Sequence, residues 1–482
     1  MPDLAHLSEA RQKLFELQRL GNLRPRAGIP SVTAERGTGN MAPLSLAQEQ
    51  VWHRDQVATA KAPLYNESIT IHRTGPLNVA ILEKSLAEII QRHQIWRTTI
   101  DTIDGRPVQI VHPAPASFSL PVVDLQNLPV TEREAEAIRL ASAEAKPAFD
   151  LERGPLLRAM LVRLGEQSYR LFLTAHQLTV DGVSVYSVFP TELTSIYEAF
   201  AAGRKSPMPP LPLQYADFAC WQRQWLTGDV LQEQMNYWQN QLAGELPILS
   251  WPSVRPPAET FRGAILPFEL TEHLTDELRE LGQHEGVTLF AVLLAGFVVL
   301  LNHYTAQEDI IVGTVAPAGR KRAEFQKLLG YFLNPVPLRL DLSGDPSFRV
   351  LLRRAQKTTL GAISHDDIPL EHLAKRFIAN PSPSRHPFFQ MVISLAPSVA
   401  ELPPGWSMTP MDVESGGARW DLYLELSDRP LGALGRAQYN PDIFERAAIA
   451  ELLEDFQFVL QSASRNPDLS LSALAGAVQS QR

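Results

Sequence analysis

One cysteine, Cys220, in 482 residues excludes an intramolecular disulfide and a cysteine-based metal cluster, and fits a reducing compartment. Long apolar runs are scarce. The longest, LFAVLLAGFVVLL from Leu289 to Leu301, is too short to span a bilayer at about 1.5 Å of rise per residue, and reads as a buried core helix. The opening residues, MPDLAHLSEARQKLF, carry charges where a secretory signal needs an apolar core. A cytoplasmic protein without a membrane partner is expected. Positive charge is not in excess: 44 Lys and Arg against 53 Asp and Glu leave a net charge of −9, which argues against nucleic acid as a partner. No Gly-x-Ser-x-Gly elbow occurs, although Ser184 lies two residues after Gly182, so a hydrolase or thioesterase has little support. The 12 histidines form no His-x-x-x-His pair beside carboxylates, and no metal site is expected.

What the chain does have is an ordinary globular composition, 45% hydrophobic and 20% charged, over a length that suits two or three domains or two large lobes. Residues 8–20 carry a short helical pattern in Leu14, Leu17 and Leu20, with Ser8 as its cap. The polar, Gly- and Pro-containing GNLRPRAGIPSVTAERGTGN then reads as linker, and the folded body begins near Ala42. Val79, Leu82, Leu86, Ile89 and Ile90 share one face of a helix over Val79–Arg92. Asp104-Gly105 marks a hairpin turn, and Thr131–Lys146 a further helix. GPLLRAMLVRLGEQSYRLFLTAH reads as two strands joined at Gly165, the second ending on His176. Val183–Ala201 reads as helix, with a kink or late start at Pro190, because proline cannot bond the carbonyl four residues back.

An aromatic-rich helical region follows over Tyr215–Leu242, where Tyr215, Phe218, Trp221, Trp225, Tyr237 and Trp238 suit core and lobe packing better than a ligand box. WPSVRPPAETFRG looks like a crossing between lobes. Beyond it, Leu274–Glu285, Thr288–Tyr304, Phe348–Ala362 and Asp442–Ser464 read as helices. DIIVGTVA, NPVPLRLDL, FFQMVISL and RWDLYLELSD read as strands. Helices and strands alternate in both halves, the pattern of two α/β lobes. The expected division is 1–41 for the N-terminal helix and linker, 42–222 for the first lobe and 223–482 for the second.

Several stretches together resemble the motifs of nonribosomal peptide synthetase condensation domains, in order, from Pro43 to Leu474. PLSLAQEQVW resembles Ser-x-Ala-Gln-x-x-x-Trp, and RHQIWRTTI resembles Arg-His-x-x-Leu-Arg-Thr with Trp96 in place of Leu. HQLTVDG resembles His-His-x-x-x-Asp-Gly, and QYADFACWQ resembles Tyr-x-Asp-Tyr-Ala-x-Trp-Gln. LLGYFLNPVPLR resembles Ile-Gly-x-Phe-Val-Asn-Thr; HDDIPLEHL, PSRHPFFQ and RWDLYLEL resemble the later motifs and the Phe-Asp-Leu strand. The resemblance implies an α/β fold of two chloramphenicol acetyltransferase-like lobes, arranged as a V-shaped pseudo-dimer with a central tunnel. It implies donor and acceptor carrier proteins as partners, each bringing a substrate on a phosphopantetheine arm, with no cofactor bound covalently to this chain. The product would be an amide, formed when the acceptor amine attacks the donor thioester.

Each residue of the motif has a bland reading beside the functional one. His176, ending an apolar strand, suits a hydrogen-bonded core residue, and the resemblance also holds the first motif histidine to be structural. Asp181 suits a helix cap; the resemblance adds a structural ion pair with an arginine of the other lobe, for which Arg320 in APAGRKR is the candidate. Gly182 suits backbone clearance, and its N–H at a helix start could also face an oxyanion. Asn334 is either a turn residue before Pro335 or, with Ser184, a candidate tunnel-lining group. The basic runs RPRAGIP and GRKRAEF suit solvated surface, with a phosphopantetheine phosphate contact as the sharper alternative.

The resemblance assigns catalysis to the second motif histidine, and that position is Gln177. A carboxamide does not titrate near neutrality, so general-base chemistry, typically worth ~10²–10⁴-fold, is closed to it. Hydrogen bonding and the proximity of two tethered substrates remain. Three explanations stand open: a platform that recruits a tailoring enzyme or gates carriers, an active variant in which orientation or His176 carries more of the reaction, and an engineered substitution. The linker-like start and the polar end AGAVQSQR suggest a piece of a larger synthetase.

Overall fold

The hairpin that ends on His176 forms the middle of one of two large sheets, and the rest of the chain is arranged around those sheets. The structure is a computed structural model describing residues 40–58, 63–251, 255–380, 382, 385–397, 399–410 and 412–480. The helix expected over 8–20, its linker and the RPRAGIP run lie outside the described residues. The first half contains β1 (Met41–Pro43), α1 (Leu46–Ala58), β2 (Asn66–Thr74), α2 (Val79–Arg92), β3 (Thr98–Ile103), β4 (Arg106–Val111) and β5 (Val122–Asp124). It continues through α3 (Val130–Ala145), β6 (Leu157–Gly165), β7 (Ser168–His176), α4 (Phe189–Ala201), α5 (Tyr215–Trp225) and α6 (Gly228–Gln241). The second half contains β8 (Ala264–Leu270), α7 (Glu272–Glu285), α8 (Leu289–Thr305), β9 (Asp309–Ala316), β10 (Asn334–Asp341), α9 (Phe348–Ser364) and α10 (Leu370–Phe377). Finally come β11 (Met391–Ala396), β12 (Trp406–Pro410), β13 (Leu422–Arg429), β14 (Gly432–Tyr439), α11 (Arg446–Arg465) and α12 (Leu471–Ser480).

One sheet runs β12-β2-β7-β6-β5, the other β10-β9-β11-β13-β14-β8, and a small sheet β1-β4-β3 stands apart. The helix read over Val79–Arg92 is α2 with those bounds; Asn78 caps it by accepting the Ile81 N–H, and Leu82, Leu86, Ile89 and Ile90 are buried. Leu289–Leu301 opens α8, buried on every side from Ala291 to Leu301 in the second core. Among the described residues no single helix is long and apolar enough to cross a membrane.

Two segments tie the halves together. β12, from the second half of the chain, pairs antiparallel with β2 and forms the edge of the first sheet. Phe325, Leu328, Leu329 and Phe332 join the first core, where Phe218 on α5 packs against Phe332 with ring centroids 4.7 Å apart. The aromatic region over 215–242 therefore serves packing, split into α5, which ends at Trp225, and α6, which begins at Gly228 with a φ of +52°.

Pro190 gives the late start read from the sequence. A π-helical turn over Ser184–Val188 precedes α4, and Pro190 occupies the first turn of that helix. Proline has no N–H to give the Tyr186 carbonyl. That carbonyl instead accepts the Ala400 N–H at 2.9 Å, from the strand connection that leads to β12.

Candidate active site

β7 is buried on both faces from Leu171 to His176, and the loop that follows is fastened from several sides. The Gln177 N–H donates to the Tyr65 carbonyl at 2.8 Å, and Gln48 Nε2 donates to the Leu178 carbonyl at 2.8 Å. Gln48 and Ser45 belong to the PLSLAQEQVW stretch; Ser45 Oγ in turn lies 2.8 Å from the Tyr215 hydroxyl of α5. In RHQIWRTTI, Arg92 and His93 close on the buried Glu192 of α4 at 3.0 and 2.8 Å. Burial holds the His93 imidazole below its ordinary pKa, so it stays neutral, accepting the Leu329 N–H at Nδ1 and donating Nε2–H to Glu192.

His176 is 2% exposed. Its Nδ1 accepts the Leu178 N–H at 3.3 Å, which places the ring proton on Nε2, 3.6 Å from Asp55. Tyr65 and Phe149 flank the ring, both with centroids 6.0 Å away.

Asp181 and Arg320 meet across the halves in a two-point contact. Arg320 Nε lies 2.9 Å from Asp181 Oδ2 and Nη2 lies 2.7 Å from Oδ1. Asp181 Oδ1 also accepts the Ser184 N–H and hydroxyl, each at 2.8 Å, and Oδ2 accepts the Phe332 N–H at 3.3 Å. With five donors on two oxygens, no lone pair is left to receive a proton from substrate. Arg320 Nη1 donates to the carbonyls of Phe325, Gln326 and Leu328, which shapes the 318–332 segment around the guanidinium.

Three sequence readings change in this setting. Ser184, read as tunnel-lining, is fully enclosed between Asp181, Arg320 and the Gly330 backbone, because the ion pair needs its hydroxyl as a relay. Asn334, the other tunnel-lining candidate, is 3% exposed; its Nδ2 braces the Asp366 and Ile368 carbonyls at 2.8 and 2.6 Å, and its Oδ1 accepts from Gln50. GRKRAEF is not a solvated basic surface: Arg320 faces Asp181, Lys321 pairs with Asp366, and Arg322 lies over the Trp221 ring at 4.8 Å. Gly182 sits against the other half, where a Cβ would stand 3.1 Å from Pro397 Cδ.

Gln177 has a partner that sequence reasoning did not single out. Arg419 Nη1 donates to Gln177 Oε1 at 2.5 Å, and its Nη2 lies 3.2 Å from Glu67 Oε1 on β2. Glu67 also lies 4.0 Å from Arg436, which holds Glu425 at 2.7 Å. The available signal was an arginine three residues before the strand in RWDLYLEL. Burial alone would lower the Arg419 pKa, but the Glu67 charge raises it, so the guanidinium stays charged. The site can thus orient and donate hydrogen bonds, whereas Gln177 has no ionisable group and both Asp181 oxygens are already engaged by donors. Among the described residues no cluster of His, Cys, Asp and Glu could hold a metal ion.

Comparison with known proteins agrees with the motif order. A family profile described as Condensation domain matches residues 38–480. One of the linear gramicidin synthase polypeptides of Brevibacillus parabrevis is 38% identical over 487 residues, covering 100% of this chain and 9% of that protein. The chain spans less than a tenth of each of the three linear gramicidin synthase polypeptides it matches. Among solved structures, the X-domain from teicoplanin biosynthesis aligns with a TM-score of 0.79 and 27% identity over 92% of this chain and 99% of that one. That X-domain is also solved in a complex with OxyB. The first condensation domain of the calcium-dependent antibiotic synthetase shares the fold, with a TM-score of 0.78 and 20% identity over 89% of this chain and 98% of that one.

Proposed function

Because this chain belongs to the condensation domain family of nonribosomal peptide synthetases, with its chloramphenicol acetyltransferase-like α/β fold, we propose that it forms an amide between a carrier-bound acyl thioester and a carrier-bound amine. The observation that carries this reading is the buried meeting of Gln177 with Arg419 and of Asp181 with Arg320 where the two halves touch, on the loop that follows the buried His176. Two phosphopantetheine arms, from a donor and an acceptor carrier, would bring their reacting ends to this loop. The residues present suit tethered rather than tightly held substrates, since the rate gain from proximity needs no ionisable group. A Cβ at Gly182 would stand a tight 3.1 Å from Pro397 Cδ, so glycine suits a close approach of the backbone to the reacting carbonyl. The single cysteine suits work in the cytoplasm.

A second reading has its own support. The likeness to the teicoplanin X-domain, a structure also solved with OxyB, and the glutamine at position 177 fit a platform that recruits a tailoring enzyme. Loading an alanyl thioester on one carrier and an aminoacyl thioester with a free amine on a second, then scoring dipeptide, separates the two. Amide formation by the wild-type chain is expected. If neither the wild type nor Gln177→His forms an amide, while a tailoring enzyme binds, the platform reading holds instead.

A further inference from the structure

Gln177 and Arg419 fix each other's chemistry. A guanidinium has donors and no acceptor, so the Gln177 atom 2.5 Å from Arg419 Nη1 must be the carbonyl oxygen, and the NH2 group points the other way. Arg419 is itself held, by Glu67 at 3.2 Å and by the Trp420 ring at 5.0 Å. The Gln177 backbone is fastened to the Tyr65 carbonyl. Among the described residues no acceptor engages Gln177 Nε2, in a side chain that is only 5% exposed. A buried carboxamide locked at one end and unpartnered at the other is arranged to donate to something that arrives.

We propose that Arg419 is a positioning residue that turns the Gln177 amide toward the reacting centre, so that position 177 works as a hydrogen-bond donor to the thioester carbonyl oxygen and not as a base. This rests on the reading of the site as one where a carrier-bound thioester reacts. In the step, the amine nitrogen adds to the thioester carbon, and the carbonyl oxygen takes up negative charge facing the Gln177 NH2. The C–S bond then breaks, and the departing thiolate takes the proton that the nitrogen sheds. An amide and a free pantetheine thiol result. A donor of this kind needs no ionisation, and its loss typically costs ~10²–10³ in kcat.

The same fork decides what a histidine would do here. Arg419 would occupy whichever ring nitrogen faces it as an acceptor, leaving the other as an N–H pointing at the substrate. Glutamine and histidine then become near equivalents at this one position.

The test uses single-turnover amide formation between loaded carriers, with wild type, Gln177→Met, Gln177→His, Arg419→Met, Arg419→Lys and the double Met variant. Gln177→Met is expected to lower kcat about 100-fold with KM little changed, and Gln177→His to stay within about tenfold of wild type. Arg419→Met should match Gln177→Met, the double variant should be no slower than either, and Arg419→Lys should recover part of the rate. Because Arg419→Met leaves Glu67 with only the more distant Arg436, 4.0 Å away, Gln177→Met, which breaks no ion pair, carries the test if the former fails to fold. A second readout is the infrared stretch of a ¹³C-labelled ketone replacing the alanyl thioester on the carrier, expected at lower frequency in wild type than in Gln177→Met. A stretch indifferent to Gln177→Met, or a Gln177→His variant faster by 100-fold or more, overturns the donor role and leaves amide formation standing. Absence of amide from both wild type and Gln177→His overturns the reading beneath it.

Discussion

At the scale of residues, Arg320 commits all three nitrogens to one task. Its fork meets Asp181 while Nη1 gathers three carbonyls of the segment after it, so the ion pair both joins the halves and folds a loop. Removing one partner of such a buried pair leaves an uncompensated charge. Asp181→Ala is therefore expected to cost about 3–5 kcal/mol, read as a lower midpoint in denaturant unfolding. Arg320→Lys should not rescue the fold, because a single ammonium cannot reproduce the two-point contact and the three carbonyl bonds together. Sequence motifs marked Asp181 and pointed to Arg320, since short ordered patterns survive in a linear reading. The partnership of Arg419 and Glu67 with Gln177 was illegible, because it joins segments far apart in the chain that only the fold brings together. Ser184 and Asn334 look like free polar groups in the sequence, and their partners include backbone atoms far along the chain that no pattern displays.

At the scale of elements, the seam where β12 joins β2 is sensitive to pH. Thr70 Oγ1 donates to Asp412 Oδ1 at 2.8 Å, just beyond the end of β12, and burial pushes the Asp412 carboxyl up to about 6 from its ordinary 3.8. Between these values the folded chain holds more protons than the unfolded chain. This group's contribution therefore falls as pH rises from about 4 through about 6, and stays low above. Its neighbour on β2, His72, works in the opposite sense: burial first, and then Arg170, lower it to about 4, so stability rises with pH up to about 6.5. Comparing Asp412→Asn with wild type in denaturant unfolding isolates the first effect. The gain in stability should be near zero at pH 4 and largest at pH 7, where it reaches at most about 3 kcal/mol. A gain equal at both pH values would contradict it. Strands and helices with strong periodicity, such as α2, α8 and the β6–β7 hairpin, were readable from the chain alone. β12 and β14 were not: WSMTP is short and GALGRAQY carries two glycines, so both depend on their neighbours' ladders. Pro190 was readable as a break, but the use of the freed Tyr186 carbonyl by Ala400 was not, because a backbone N–H leaves no mark in the sequence.

At the scale of the whole molecule, alternating helices and strands announced two α/β halves, while the ties between them needed the structure. β12 completes a sheet of the first half, residues 325–332 fill its core, and position 222 falls inside α5, not between elements. The consequence is a loop enclosed where both halves contribute, with Tyr65, Glu67, Gln177 and Asp181 from one and Arg320, Pro397 and Arg419 from the other. On the proposed function, such a site would act by placing two tethered groups and by donating hydrogen bonds, with no proton acceptor at position 177. The most direct test is the single-turnover rate of amide formation between loaded carriers as a function of pH from about 6 to about 9. The account predicts a rate that rises as the acceptor amine loses its proton and shows no other inflection. A second inflection near neutrality that vanishes on replacing His176, or a thioester lost to water without any amide, would contradict it.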